Sequence, residues 1–157
     1  MDEGEVEPAE ILPVVGAAAQ RDDVRHAASV DVNDGVLAEV EAALEQSRDA
    51  LAYFFDLELS SREGPGFLCY SSGGFYKPHR DRAASAAWPD AQRRLLTIVV
   101  FLNDDFGGGE LRLLPDDAEP VVIHPRAGTL VAFDAATVHE VVPVIEGQRY
   151  TVVDWWL

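Results

Sequence analysis

Two side chains of complementary chemistry stand two residues apart in Phe75-Tyr76-Lys77-Pro78-His79-Arg80-Asp81. On an extended strand, residues so spaced point to one face, about 6.6 Å apart along the chain. An imidazole and a carboxylate held that way can clamp one metal ion, but two protein ligands rarely suffice. Only two histidines follow, His124 and His139. His124 sits at a strand end before Pro125 and reads as a structural or solvated residue, with a ligand role as the weaker alternative. His139 lies in Phe133-Asp134-Ala135-Ala136-Thr137-Val138-His139-Glu140-Val141-Val142-Pro143. Two histidines and one carboxylate on one face, with open positions opposite, form the facial triad of a non-haem Fe(II) site. A His-x-Asp alone recurs by chance. The weight lies in its conjunction with His139 and with Arg149, ten residues further on.

Arg149 opens an apolar stretch ending in Thr151-Val152-Val153-Asp154-Trp155-Trp156. By strand alternation Arg149, Thr151, Val153 and Trp155 share one face. An arginine on the inward face of such a strand is costly unless paired. A bound carboxylate pairs it well, because the guanidinium fork matches a carboxylate bidentately. A protein acid such as Glu110 is the alternative partner. Thr151, beside it, can add a hydroxyl. Trp155 can line a pocket floor, whereas Trp156 reads as core.

These side chains need elements to position them. Asn33 or Asp34 can cap a helix, and apolar residues then recur at Val36, Leu37, Val40, Leu44, Leu51, Phe54 and Phe55. The near-3.6 period predicts one amphipathic helix over 34–55, packed on the outside of a sheet. Before it, residues 1–10 are acidic and read as loose. Residues 11–32 are ambiguous, with a short strand at Val30-Asp31-Val32 and a solvated His26. From residue 57 the pattern turns to short β-type runs with Gly and Pro punctuation. Strands are expected at Phe67–Tyr70, Tyr76–Asp81, Leu95–Leu102, Glu110–Leu114, Val121–His124, Thr129–Phe133, Val138–Val142 and Arg149–Trp156. The run at Leu95 is almost continuously apolar, which suits a strand buried on both faces. Residues 82–92 read as a loop, with Trp88 as an exposed aromatic in a lid. The expectation is one mainly β domain over 1–157, a jelly roll with a supporting helix. Its parts are an N-terminal segment at 1–32, the helix at 34–55 and the jelly-roll core at 57–157.

Composition narrows the function classes. Apolar residues make up 48% of 157, enough to fill a core. The formal net charge of −16 argues against nucleic acid and against an anionic membrane surface as partners. Cys69 is the only cysteine, so no internal disulfide can form, and it reads as a small buried hydrophobe. The acidic start is the wrong sign for a signal peptide, and the reading is a soluble, cytoplasmic protein. Lys77, Arg80, Arg82, Arg93 and Arg94 form a local basic patch, read as surface charge or as a pocket mouth that attracts anions.

The stretch from Phe67 to Trp156 resembles the prolyl 4-hydroxylase-like branch of the iron(II)/2-oxoglutarate-dependent oxygenases. The resemblance is carried by Tyr70, Tyr76, His79-x-Asp81, Leu102-Asn103, Gly108-Gly109-Glu110-Leu111, Pro125-Arg126-Ala127-Gly128-Thr129, His139-Glu140-Val141-x-Pro143 and Gly147-x-Arg149-Tyr150-Thr151. It implies a double-stranded β-helix, with His79, Asp81 and His139 as catalytic iron ligands. It implies Arg149, Thr151 and Tyr70 around 2-oxoglutarate, and Tyr76, Trp88 and Trp155 near the substrate. Fe(II), 2-oxoglutarate and O2 would take part, with ascorbate as a candidate reductant. Phe101 stands where some relatives carry a tyrosine, and Arg149 where collagen-type enzymes carry a lysine. Both departures bear on the prolyl substrate rather than on the reaction class. The function expected is hydroxylation of a C–H bond, of a prolyl residue in a peptide or protein. A small-molecule hydroxylase and a non-catalytic metal- or ligand-binding jelly roll are the alternatives.

Overall fold

In the computed structural model the described residues are 7–8, 23–84 and 88–157. The loose start expected at 1–10 lies outside them apart from Glu7 and Pro8, as does the part of the ambiguous stretch up to residue 22. In chain order the elements are β1 (Glu7–Pro8), β2 (Arg25–His26), β3 (Ala28–Ser29), α1 (Asp34–Gln46), α2 (Arg48–Phe55), β4 (Gly66–Ser71), β5 (Phe75–His79), α3 (Pro89–Gln92), β6 (Leu96–Phe101), β7 (Gly107–Gly108), β8 (Leu111–Leu114), β9 (Val121–Ile123), β10 (Leu130–Asp134), β11 (Val138–Val141), β12 (Val144–Glu146) and β13 (Gln148–Trp156).

The strands form a six-stranded sheet, β1-β3-β4-β13-β6-β10, and a five-stranded sheet, β2-β5-β11-β8-β9. A small ribbon joins β12 to β7. Every pairing is antiparallel. The chain over 25–29 crosses from one sheet to the other, since β2 pairs with β5 and β3 with β4. This is the jelly roll expected.

Period-two alternation sends the six-stranded sheet's residues to two destinations. Phe67, Leu96, Ile98, Val152 and Trp156 pack outward with Leu44, against which Leu37, Val40, Leu51 and Phe55 of the helices rest. Val99, Phe101 and Phe133 pack inward between the sheets, with Leu111 of the five-stranded sheet. Two covered faces explain why β6 is apolar along its whole length.

The helix differs from the single element predicted over 34–55. Asn33 caps α1, its side chain accepting from the Val36 N–H at 3.0 Å. The helix tightens at Ser47, whose N–H and hydroxyl both donate to the Leu44 carbonyl, at 3.1 and 2.6 Å. A serine that bonds back to its own helix competes with the regular ladder. A second helix restarts from Ser47 and stops at Asp56, which adopts a left-handed conformation (φ 53°). Phe54, counted in the apolar stripe, is instead 79% exposed. The buried face follows Leu44, Leu51 and Phe55, and Phe54 lies roughly 100° of helical rotation away from Phe55. The strand expected at Val30–Val32 is also displaced. Pairing occurs at Ala28–Ser29, and Val30 adds only its N–H to the Phe67 carbonyl at 2.9 Å. The loop expected over 82–92 contains the one-turn helix α3, opened by Pro89 at its first position.

Candidate active site

Strands β5 and β11 lie side by side, with His79 directly opposite His139. Asp81 follows just past β5, where its N–H bonds the Ala135 carbonyl at 3.0 Å. Arg82 bonds the same carbonyl at 2.8 Å. The turn leading into β11 therefore fixes the carboxylate against the two rings. His79 Nε2 is 3.4 Å from Asp81 Oδ1, and His139 Nε2 is 3.4 Å from Asp81 Oδ2. One ligand atom from each of the three lies within 4.8 Å of the others. Tyr76 stacks on His79 at 3.4 Å between ring centroids, and Phe133 meets His139 edge-on at 4.8 Å.

The hydrogen bonds set the tautomers. His79 Nδ1 donates to the Lys77 carbonyl at 2.8 Å, and His139 Nδ1 to the Thr137 carbonyl at 3.0 Å. A carbonyl only accepts, so each neutral ring carries its proton on Nδ1 and presents the Nε2 lone pair to Asp81. Burial pushes His139 below its ordinary pKa; Asp81 opposes this and His79 adds to it. Burial alone would raise Asp81, but whenever the two rings are protonated the His79 hydrogen bond and the charges of His139 and His79 hold it well below the usual carboxylate range, the effect that any positive charge beside it would have. With both rings neutral, two imidazole lone pairs and a buried carboxylate converge on one point. That donor set fits a divalent cation, and imidazole with carboxylate suits iron.

Asp81 has further partners. Its Oδ2 accepts from the Thr97 hydroxyl at 2.7 Å and from Trp155 Nε1 at 3.0 Å. Arg94 stacks on the Trp155 ring at 3.7 Å and donates to the Asp81 main-chain carbonyl at 3.1 Å. Glu63 clamps Arg94 through both oxygens, at 2.6 and 2.7 Å. Sequence reasoning missed Thr97, Arg94 and Glu63. Thr97 left a signal, the one polar side chain inside the apolar run of β6. The others left none, because Glu63 and Arg94 are 31 residues apart.

The supposed basic patch is largely spent on internal contacts. Arg94 is 7% exposed, Arg82 bonds the Arg94 and Leu95 carbonyls, and Arg80 bonds Asp116 and the Ala136 carbonyl. His124 is exposed and stands apart from the cluster.

Arg149 occupies the other end of the interior. It is 1% exposed, yet among the described residues the one close hydrogen bond of its guanidinium runs from Nη1 to Thr151 Oγ1 at 3.3 Å, with Tyr70 beside it. The rings of Tyr70 and Phe101 lie 4.8 and 5.2 Å from its guanidinium, and its Nε has no hydrogen-bond partner among the described residues. Neither Glu110 nor any other acid among the described residues pairs with it. Burial pushes its pKa down, with Tyr70 opposing. Its position depends on local backbone. Asn103 accepts from the Tyr150 N–H at 2.8 Å and donates to the Gln148 carbonyl at 2.8 Å, stitching both sides of Arg149 to the end of β6. Gly109 sits at φ 66°, and a Cβ there would approach Arg149 Cδ to 3.0 Å. Gly108 is tighter still, since a Cβ would come 2.4 Å from the Pro143 carbonyl oxygen.

A cavity of about 380 Å³ connects the two ends. His79, Asp81 and His139 form one part of its wall, and Tyr70, Arg149 and Thr151 another. Tyr76, Trp88 and Trp155 complete the aromatic share of the lining, with Trp88 37% exposed. The residues that the resemblance implies for iron, 2-oxoglutarate and substrate thus line one cavity. Burial raises the Tyr76 hydroxyl far above its ordinary pKa, so it stays protonated.

Residues 65–157 match the family model described as the 2OG-Fe(II) oxygenase superfamily. A PKHD-type hydroxylase of Synechococcus sp. is 35% identical over 89 residues, 55% of this chain and 39% of the relative. The chain therefore spans about two fifths of the length of the curated relatives it matches first. Among solved structures, a Pseudomonas putida prolyl-4-hydroxylase superposes with a TM-score of 0.71 at 28% identity, covering 85% of this chain and 72% of that one. A Trichoplax adhaerens prolyl hydroxylase, solved with a hypoxia inducible factor peptide fragment, gives a TM-score of 0.75 at 21% identity over 97% of this chain and 70% of that one. The second likeness speaks to the fold alone.

Proposed function

The chain belongs to the 2OG-Fe(II) oxygenase superfamily, and from that premise we propose that it is an Fe(II)- and 2-oxoglutarate-dependent dioxygenase that hydroxylates a prolyl residue of a peptide or protein. One observation carries the reading. A cation-hungry His79–Asp81–His139 cluster and a buried arginine lacking an acid partner among the described residues face one cavity. In this reading His79 Nε2, Asp81 and His139 Nε2 hold the iron. Arg149 receives the distal carboxylate of 2-oxoglutarate, because the desolvated fork gains most from a bidentate anion. Thr151, whose oxygen accepts from Arg149, keeps its own O–H free to donate to the same carboxylate. Tyr70 packs its ring on the guanidinium and closes that end. When bound, iron and 2-oxoglutarate supply with O2 the oxidant that attacks the C–H bond.

The remaining side chains orient the substrate. Tyr76, Trp88 and Trp155 offer flat apolar faces suited to a pyrrolidine ring. The prolyl assignment is supported by the 28% identity to the Pseudomonas prolyl-4-hydroxylase. Residues 57–157 serve as the oxygenase core, residues 34–55 support it from outside, and the whole acts as one cytoplasmic domain.

The test is stoichiometric release of succinate under air with Fe(II), 2-oxoglutarate and proline-containing peptides, with ascorbate as reductant. A peptide product heavier by one oxygen atom is expected. His79→Ala should abolish both signals, and turnover that survives it would remove His79 from the ligand set.

A further inference from the structure

Asp81 is the one triad member whose metal-facing atom is ambiguous, because both of its oxygens lie 3.4 Å from an imidazole nitrogen. The hydrogen bonds remove the ambiguity. A carboxylate oxygen offers about two lone-pair sites. On Oδ2 both are taken, one by the Thr97 hydroxyl at 2.7 Å and one by the Trp155 indole N–H at 3.0 Å. Both donors are intrinsic to the six-stranded sheet, on β6 and β13, where Thr97 and Trp155 are direct cross-strand partners. Among the described residues no hydroxyl or indole N–H reaches Oδ1, which faces His79 Nε2 at 3.4 Å, so its lone pairs are the ones left to face a cation.

The indole is itself held. Arg94 lies flat on it at 3.7 Å, and Glu63 fixes Arg94 through two short hydrogen bonds. The segment carrying Glu63 is anchored in turn to the same strand. Asp154, fully buried, accepts from Arg62 at 2.5 Å and from the Gly64 N–H at 2.9 Å. Residues on both sides of Glu63 are thus tied to β13 beside Trp155. A cation stacked on an aromatic face and desolvated there restrains the ring's rotation as well as its position.

We propose that Thr97 and Trp155 are positioning residues that occupy Oδ2 of Asp81, making it a one-oxygen metal ligand through Oδ1, and that the Glu63–Arg94 clamp sets the Trp155 ring for this task. The inference rests on the metal reading above. Its consequence is coordination room. A carboxylate limited to one bond, with two imidazoles, fills three positions of six-coordinate iron, and a carboxylate free to turn and chelate through both oxygens would take a fourth.

The experiment measures Mn(II) affinity, from the electron paramagnetic resonance signal of the free ion, well below each protein's unfolding midpoint. Outer partners of metal ligands typically account for about 10–100-fold in metal affinity. Thr97→Val and Trp155→Phe should each weaken Mn(II) binding on that scale. Thr97→Ser, which keeps the hydroxyl, should bind like the wild type. Glu63→Ala, which touches neither Asp81 nor the metal, should fall between wild type and Trp155→Phe. If Thr97→Val does not fold, Trp155→Phe and Glu63→Ala carry the test, since Phe keeps a ring for Arg94 and loses only the N–H. Wild-type affinity in folded Trp155→Phe and Glu63→Ala would overturn the inference and leave the triad standing. A wild-type chain that binds no Mn(II) would instead defeat the metal reading, and this inference with it.

Discussion

Two buried arginines line the same cavity and live opposite lives. Arg94 is 7% exposed and fully committed, with a bidentate Glu63, the Asp81 carbonyl and the Trp155 ring. Arg149 is 1% exposed and holds one 3.3 Å bond to Thr151 and the faces of two rings. Burying a charge is costly unless it is paired and hydrogen-bonded. Arg94 meets that condition within the chain. Arg149 does not, and its deficit is matched by a cavity whose other end is lined by the His79, Asp81 and His139 ligand atoms. A buried arginine therefore marks function by what it lacks rather than by burial itself.

Substitutions can separate the two. The largest effect is expected for Arg149→Met, which should cost 2-oxoglutarate about 2–5 kcal/mol of binding, by titration calorimetry on the Mn(II)-loaded protein. The ligand-free protein should be no less stable, because an unpaired buried charge is removed. Equal loss of metal binding would contradict the division of roles. Arg94→Met should act instead on stability and, through Trp155, on the metal end of the cavity. It leaves Glu63 without its partner and should lower stability by about 1–3 kcal/mol in denaturant melts, with or without 2-oxoglutarate. Gly109→Ala sharpens the contrast from the backbone. A side chain at its positive φ costs about 1–2 kcal/mol and crowds Arg149 Cδ, so stability and 2-oxoglutarate affinity should fall together. The smallest effect belongs to Phe54→Ala, within about 0.5 kcal/mol, because that ring is 79% exposed.

What could be read from the chain alone follows from how local each signal is. His79 and Asp81 share a strand end, and Pro78 enforces the extended backbone that aims them together. Arg149, Thr151, Val153 and Trp155 share a face by simple alternation, and all four line the cavity. The long-range partners carry no such imprint. Arg94 reads as surface charge beside Arg93, and only the fold reveals Glu63 beneath it. Asp154 looks like a polar break in an apolar strand, yet it is wholly buried against Arg62. The helix break at Ser47 escaped because the hydrophobic period runs through it, and the serine's own hydrogen bonds decide it. Phe54 lies in the same apolar run, but its direct neighbour Phe55 takes the inward position and turns it to solvent.

A crystal structure of the protein soaked anaerobically with Mn(II) and 2-oxoglutarate would show both ends of the cavity occupied at once. The prediction is one metal ion on His79 Nε2, Asp81 Oδ1 and His139 Nε2, with the distal carboxylate of the diacid on Arg149 and Thr151. A metal ion bound elsewhere, or a diacid that leaves Arg149 untouched, would contradict it.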